Sequence, residues 1–357
     1  FFVIIIINSL NVIQQSIIRK ELQFKKRAIL TFSSSIASGI IGIVCAYNGL
    51  GVWSLVIQQI SNKSILCILL YITSPWRLHF QFSEESAKTM FSFGSWLLLS
   101  NLILSVFNQL YRLFVGKNFQ ATDLGLYERA NQFESMIGDT FSWVFGQVAF
   151  PVFSKVQDNV SLIKEHLDNF VRYSTFVVYP LLAILYVVAK PMIVLLLTEK
   201  WMACVPMLEC FCFAGLMRPI YIFFGPLLQG LGKSKYDMTL TSIICVARVI
   251  NVLIAIKYGL ESLIIGEFFV LLVSITIVSF LVRKKIGFNY LSCFWSIKWN
   301  VIATGVAILT GITVLQHCNG DFWEFLVPVA GMILTYIGTM FILDRSVFSK
   351  IRTILFH

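Results

Sequence analysis

Long apolar runs follow one another along almost the whole chain, and a helix needs about 20 mostly apolar residues to cross a bilayer. Lipid offers the backbone no hydrogen bonds, so a spanning segment must satisfy its own, as a helix does. The sequence therefore predicts an all-α integral membrane protein with about eleven transmembrane helices. The predicted spans cover residues 1–18, 29–47, 52–73, 91–116, 124–152, 171–195, 203–224, 236–256, 260–282, 295–315 and 323–343.

Composition excludes a soluble domain. The chain is 57% hydrophobic and only 13% charged, whereas soluble domains are about 45–50% apolar and about 25% charged. Its net charge of +10 would suit nucleic acid, but the basic residues sit in short segments between apolar runs. That distribution is the positive-inside pattern of membrane proteins. We expect the lipid bilayer, and no nucleic acid, as a partner.

The distribution of Lys and Arg predicts the orientation. Nineteen of these residues lie in one alternating set of connections and six near the other. The richer set includes Lys284 and the C-terminal tail, and the poorer set includes Lys200. Since Lys and Arg accumulate on the cytoplasmic side, we expect the C-terminus in the cytoplasm and Lys200 outside.

No motif indicates a metal, a cofactor or ATP hydrolysis. Nearly all of the eight cysteines fall within apolar runs, where Cys behaves as a small hydrophobic residue. The segment Gly230–Lys235, GLGKSK, lacks the spacing of a phosphate-binding loop. We therefore expect no metal site, no cofactor and no disulfide framework.

Two neighbouring predicted spans carry polar residues along one helical face each. The spacing is i, i+4, i+7, i+11 in the first and i, i+3, i+7, i+10, i+14 in the second. Both stripes contain a charged residue, which favours the walls of a hydrophilic cavity over interhelical hydrogen bonding without a solute. The first stripe is Asn101, Ser105, Asn108 and Arg112, and the second is Gln132, Ser135, Asp139, Ser142 and Gly146.

Further ionisable residues lie deep within predicted spans, where a charge is costly unless it is paired or hydrated. The cations suit an anionic substrate with a phosphate group, and the spans offer few obvious anions to pair with them. An electropositive cavity is therefore predicted, with Arg112 as its leading residue. The acids could instead pair with the cations, carry protons or bind Na⁺, and each group could belong to a structural ion pair. The cations are Lys63, Arg218 and Arg248, and the acids are Glu209 and Glu267 besides Asp139.

Several segments together resemble one family, the polysaccharide transporter branch of the multidrug/oligosaccharidyl-lipid/polysaccharide exporter superfamily. Their order and spacing are similar across nearly the whole chain. This branch includes the O-antigen and colanic-acid flippases. The segments are QQSIIRKELQF (14–24), GLGVWSLVIQQ (49–59), PWRLHFQF (75–82), FSFGSWLLLSNL (91–102), LGLYERANQF (124–133), FPVFSKVQDN (150–159) and EKWMACVPMLECFCFAGLMRPI (199–220).

The resemblance implies a MATE-like bundle of fourteen helices, built from two six-helix lobes and two extra C-terminal helices. By that comparison the chain begins at the fourth helix, so it is expected to be N-terminally truncated. Residues 1–90 would then complete the N-terminal lobe. Residues 91–290 would form the C-terminal lobe, and residues 291–357 the extra helices with a cytoplasmic tail.

The resemblance also implies the substrate. It would be an oligosaccharide unit linked to undecaprenyl pyrophosphate, moved across the bacterial inner membrane for the synthesis of lipopolysaccharide O-antigen or a similar surface polysaccharide. A polysaccharide polymerase and its chain-length machinery are possible partners. No enzymatic activity is implied.

Three other functions stay open. A cation-coupled drug or metabolite antiporter of the same superfamily would need an acidic, cation-binding cavity. A membrane enzyme, such as an O-antigen polymerase or a lipid-dependent glycosyltransferase, would be expected to have a long external loop with Arg, His or Asp clusters. A scaffold without transport gives no reason for polar stripes within the membrane.

Overall fold

The structure is a computed structural model of the chain, and it describes residues 2–21, 23–74, 83–286, 294–318 and 320–345. Within these ranges every regular element is a helix. The predicted all-α fold is therefore confirmed. The segment 75–82 and the C-terminal residues 346–357, both used in the sequence interpretation, lie outside the described residues.

The helices follow the predicted spans closely, and several extend beyond them. The predicted span 171–195 is divided by a turn at Val188, which separates α6 from α7. In chain order the helices are α1 (Phe2–Lys20), α2 (Phe24–Tyr47), α3 (Val52–Thr73), α4 (Glu84–Asn118), α5 (Ala121–Lys155), α6 (Val160–Val187), α7 (Ala189–Leu197), a 3-10 helix (Glu199–Cys204), α8 (Val205–Gly215), α9 (Arg218–Tyr221), α10 (Phe224–Gly230), α11 (Ser234–Tyr258), α12 (Leu260–Ile286), α13 (Lys298–Leu315) and α14 (Asp321–Leu343).

Nine helical stretches of the described residues are long and apolar enough to cross a membrane. Each overlaps one of the eleven predicted spans. The other two predicted spans, 1–18 and 124–152, are also helical and correspond to α1 and α5. The nine stretches are Phe24–Tyr47, Val52–Thr73, Glu84–Asn118, Val160–Val187, Glu199–Gly230, Ser234–Tyr258, Leu260–Phe280, Lys298–Leu315 and Phe322–Leu343.

The chain divides into two compact units, Phe1–Ala87 and Lys88–His357. In the first unit α1, α2 and α3 pack on one another. Their buried core is small and consists of Ile18, Leu30, Leu66 and Leu70. Small polar side chains join α2 to α3, because Asn62 Nδ2 donates to Ser38 Oγ at 3.2 Å.

The second unit has larger cores, and α6 is its most deeply embedded long helix. One core gathers aromatic rings, with Phe170 stacked on Phe223 at 5.3 Å between ring centroids and Phe153 edge-on to Phe170 at 5.6 Å. By contrast, α4 buries only Ser100 and Val115. Most of the surface of α4 is therefore free to face lipid or solute.

The helical segment between Val205 and Gly230 is broken twice. After α8 ends at Gly215, two turn residues precede α9, and two more separate α9 from α10. The first break lies just before Pro219, which has no N–H to donate to the carbonyl of Gly215. Nearby, the carbonyl of Pro219 accepts a hydrogen bond from Ser174 Oγ at 3.2 Å. The break places Arg218 at the start of α9.

Polar contacts attach α13 and α14 to α6. Arg172 of α6 forms an ion pair with the buried carboxylate of Asp344, just after α14. Asn300 Nδ2 of α13 donates to Thr175 Oγ1 at 2.8 Å. The Tyr336 hydroxyl of α14 donates to the carbonyl of Phe176 at 2.9 Å. The C-terminal pair of helices is thus fixed to the second unit by specific hydrogen bonds as well as by apolar packing.

Candidate functional site

A polar cavity of about 580 Å³ lies within the second unit. Residues of α4, α5, α8, α9, α11 and α12 line it, and these helices belong to the predicted membrane spans. Seven of its lining residues are Arg, Asp or Glu. They are Arg112, Glu128, Glu134, Asp139, Arg218, Arg248 and Glu267.

Arg218 is the centre of the charge network. Its Nη2 atom lies 3.1 Å from Glu134 Oε2, and its Nη1 atom donates to Asp139 Oδ1 at 2.8 Å. The two carboxylates differ sharply in exposure, since the side chain of Glu134 is 1% exposed and that of Asp139 is 73% exposed. The guanidinium therefore connects a carboxylate inside the helix packing to one that faces solvent.

Two glycines make room for this network. A Cβ atom at Gly138 of α5 would lie 2.5 Å from Arg218 Nη1, and one at Gly215 of α8 would lie 2.8 Å from Glu134 Oε1. Real Cβ atoms essentially never approach so closely. The helix pair can hold a buried carboxylate and an arginine between its backbones because both positions lack a side chain.

The other two cavity arginines also have carboxylates beside them. Arg248 Nε of α11 donates to Glu267 Oε2 of α12 at 3.1 Å, and both side chains are mostly buried. Arg112 Nε lies 3.9 Å from Glu128 Oε1, and its side chain is 62% exposed. The Arg112 pair is thus the looser one, and exposed pairs of this kind contribute little to stability.

The expectation that the spans offer too few anions to pair with these arginines is therefore wrong. Among the described lining residues the acids outnumber the arginines, four to three. Sequence reasoning had allowed Asp139 and Glu267 to pair with the cations, and both do. It missed Glu128 and Glu134, as well as the tyrosines 111, 127 and 221 of the lining.

Eight of the predicted cavity residues come together here, namely Asn108, Arg112, Ser135, Asp139, Ser142, Arg218, Arg248 and Glu267. Gly146 of the second stripe is absent from the lining. Five other predicted residues do not line the cavity. Asn101 Nδ2 donates to its own helix at the Leu97 carbonyl, and Gln132 Oε1 accepts from Arg129 Nη1. Ser105 lies on an exposed part of α4, Glu209 is half-buried on α8, and Lys63 belongs to the first unit. A role for these five stays a prediction.

Helices long and apolar enough to cross a membrane, packed around a cavity with paired charges, define the class of multi-pass membrane proteins with a polar internal cavity. The chain belongs to the polysaccharide biosynthesis protein family, whose model matches residues 2–206. It is a multi-pass membrane protein of that family, and the resemblance drawn from its segments is confirmed.

Individual relatives agree with this assignment. The chain is 29% identical over 224 residues to the teichuronic acid biosynthesis protein TuaB of Bacillus subtilis, covering 62% of this chain and 46% of TuaB. It is 24% identical over 231 residues to the lipopolysaccharide biosynthesis protein WzxC of Escherichia coli, covering 63% of this chain and 46% of WzxC. The chain thus spans about half the length of the curated relatives it matches.

A solved structure is similar in fold. The lipid II flippase MurJ, in an inward closed conformation, matches with a TM-score of 0.56 at 15% identity, over 88% of this chain and 67% of MurJ. At that identity the likeness concerns the fold. It confirms the predicted exporter-like helical bundle, while the assignment of residues to lobes stays a prediction.

Proposed function

We propose that this protein moves lipid-linked oligosaccharide units across the bacterial inner membrane, from the cytoplasmic to the periplasmic leaflet, for the synthesis of a surface polysaccharide. The observation that carries the proposal is a cavity with exposed and half-exposed arginines inside the membrane helices of a polysaccharide biosynthesis family member. The unit would be carried on undecaprenyl pyrophosphate.

The cavity offers the chemistry that such a substrate needs. A guanidinium presents a fork of N–H donors that matches phosphate oxygens. Arg112 is mostly exposed and only loosely paired, so its donors are available to a solute. Asn108, Asn131 and Ser135 lie on the same lining, and their amides and hydroxyl can exchange hydrogen bonds with sugar hydroxyls.

Orientation and organisation are part of the proposal. The excess of Lys and Arg in alternate connections predicts that the C-terminus lies in the cytoplasm. Residues 91–290 would act as one lobe of an alternating-access bundle, residues 1–90 would belong to the other, and α13 and α14 would be additions to the first. A polysaccharide polymerase would receive the unit on the periplasmic side. The role is transport without chemistry on the substrate.

A cation-coupled antiporter is the alternative function that the four cavity acids could support. Each of these acids, however, lies within 3.9 Å of an arginine nitrogen. A cationic solute that paired with Glu134 or Glu267 would have to displace Arg218 or Arg248, and Arg248 would be left mostly buried without its partner. The paired acids therefore favour an anionic or neutral polar solute.

Deleting the gene from its own bacterium tests the proposed function. We expect loss of the surface polysaccharide and accumulation of its lipid-linked unit on the cytoplasmic leaflet, measured by protection of the unit from an external glycosidase. Restoring the gene should reverse both effects. Normal surface polysaccharide would contradict the proposal. Single units that reach the periplasmic leaflet but stay unpolymerised would also contradict it, because they would indicate a polymerase.

A further inference from the structure

Arg218 contacts two carboxylates, one of which is much easier to exchange for another anion than the other. Glu134 is buried where α5 packs on α8, beside Gly138 and Gly215, and its side chain is only 1% exposed, so it would gain little hydration if it released Arg218. Asp139 is largely exposed to the cavity and would be hydrated if it released Arg218. Exchanging the partner on the Asp139 side is therefore far less costly than exchanging the one on the Glu134 side.

We propose that Asp139 occupies the position on Arg218 where the phosphate of the substrate binds. It holds the cavity-facing side of Arg218 until a pyrophosphate group displaces it, while Glu134 keeps the guanidinium in position. This inference rests on the proposed function and deepens it. It makes Arg218 the phosphate receptor, Asp139 its competitor and Glu134 a positioning residue.

The ligand should be a phosphate and not a sugar carboxylate. A sugar carboxylate would replace Asp139 with a group of the same charge and the same number of oxygens. It would also lose translational and rotational entropy on binding, which Asp139 does not. A pyrophosphate carries more negative charge and more acceptor oxygens than a carboxylate. It can therefore form stronger hydrogen bonds to Arg218 than Asp139 does and displace it. Asp139 thus provides selection between the two kinds of anion.

The other arginine pairs lack this arrangement. Displacing Glu267 from Arg248 would leave a mostly buried carboxylate without its partner. Arg112 and Glu128 are 3.9 Å apart and both substantially exposed, so little attraction has to be broken there. Arg218 alone among the cavity arginines has one fixed and one exchangeable carboxylate.

A competing carboxylate would also help release. A transport site must bind its solute firmly enough to load it and weakly enough to let it go. When Asp139 returns to Arg218, it replaces the hydrogen bonds that the departing phosphate gives up. Removing Asp139 should therefore strengthen binding and slow export, which is an unusual pair of effects for one substitution.

Titration of the purified chain in detergent with inorganic pyrophosphate tests the inference. We expect Asp139→Asn to bind pyrophosphate about tenfold more tightly than the unsubstituted chain, by isothermal titration calorimetry. Asp139→Glu should restore the ordinary affinity, because it restores a carboxylate. The double variant Asp139→Asn with Arg218→Gln should lose the gain. Glucuronate should bind the unsubstituted chain too weakly to measure, and it should gain affinity in Asp139→Asn, because the carboxylate that excludes it is gone.

Glu261→Gln is the matched control, because it makes the same change in net charge at an exposed residue of α12 outside the cavity lining. An equal gain in Glu261→Gln would mean a general charge effect and would overturn the inference. So would unchanged or absent pyrophosphate binding in Asp139→Asn that elutes as a folded protein. None of these results bears on the gene-deletion test, so the inference and the proposed function fail separately.

Discussion

At the scale of the residue, Glu134 is the most buried charge of the cavity. Its side chain is 1% exposed, whereas Arg218 beside it is 30% exposed. A carboxylate withdrawn from water this far is tolerated only with a charged partner, and Arg218 Nη2 at 3.1 Å is that partner. Arg218 in turn keeps contact with the cavity. The pair thus fixes a cation at the cavity wall that would otherwise move with its long side chain.

Removing Glu134 should destabilise the protein. Breaking a fully buried ion pair costs about 3–5 kcal/mol. Because Arg218 is partly hydrated and keeps Asp139, we expect Glu134→Leu to cost on the order of 1–2 kcal/mol and to lower the melting temperature in detergent. Glu134→Gln should cost less, because it keeps an acceptor oxygen of the same size. Glu261→Leu, at an exposed residue of α12, should melt normally, and a normal melting curve for Glu134→Leu would contradict the pairing.

Sequence reasoning could identify Asp139 and Arg218 but not their relation to Glu134. The stripe it followed on α5 contains Gln132, Ser135 and Asp139. A second row, Tyr127, Asn131, Glu134 and Gly138, has an equally regular helical spacing of i, i+4, i+7 and i+11. Which row meets α8 and α9 depends on how the helices are rotated against each other, and spacing within one helix does not contain that information.

At the scale of the element, α5 and α8 approach closely where each carries a glycine. A methyl group at Gly138 or Gly215 would strike the Arg218–Glu134 pair. Close approach of helices at small residues is a common packing mode in membranes. Here the space that the glycines leave is filled by an ion pair instead of a neighbouring backbone.

The glycine positions can be tested with a control on the same helix. We expect Gly138→Ala and Gly215→Ala to lower both thermal stability and pyrophosphate binding, because the added methyl group forces Arg218 or Glu134 to move. Gly146→Ala adds the same group to α5, with nothing within 4 Å, and should leave both unchanged. Fluorescence melting curves and calorimetry would measure the two effects. Equal stability and equal pyrophosphate binding in all three variants would mean that α5 and α8 do not approach each other at these glycines.

The positions of helices were predictable, but the break beside Arg218 was less so. Periodic apolar runs of about 20 residues locate a span, and the nine apolar stretches all overlap predicted spans. The segment contains Pro206 and Pro219, with Pro226 just beyond it, and proline interrupts the hydrogen bonds of a helix. Proline alone does not decide the matter, because Pro151 and Pro180 lie within continuous helices, α5 and α6.

At the scale of the whole molecule, the number of membrane crossings depends on α5. It is 35 residues long, which at 1.5 Å per residue gives a length of about 52 Å, more than enough to cross a bilayer. Yet it is absent from the nine apolar stretches of the described residues. Its polar face explains the difference, because Glu128, Glu134 and Asp139 line the cavity and lower the mean hydropathy of the helix.

The last prediction is therefore that α5 crosses the membrane. In a variant without native cysteines, single cysteines at Lys117 and Lys155 mark the ends of α4 and α5. A membrane-impermeant thiol reagent added to intact cells should label position 117 and not 155, since the distribution of Lys and Arg places 117 outside and 155 in the cytoplasm.

Positions 200 and 284 supply the reference pair. Three of the nine apolar stretches lie between them, so we expect them on opposite sides whether or not α5 crosses. Labelling of 117 and 155 from the same side, with 200 and 284 still on opposite sides, would mean that α5 lies outside the membrane core. The polar face of α5 would then be an exposed surface, and the cavity it lines could not serve as a path across the bilayer.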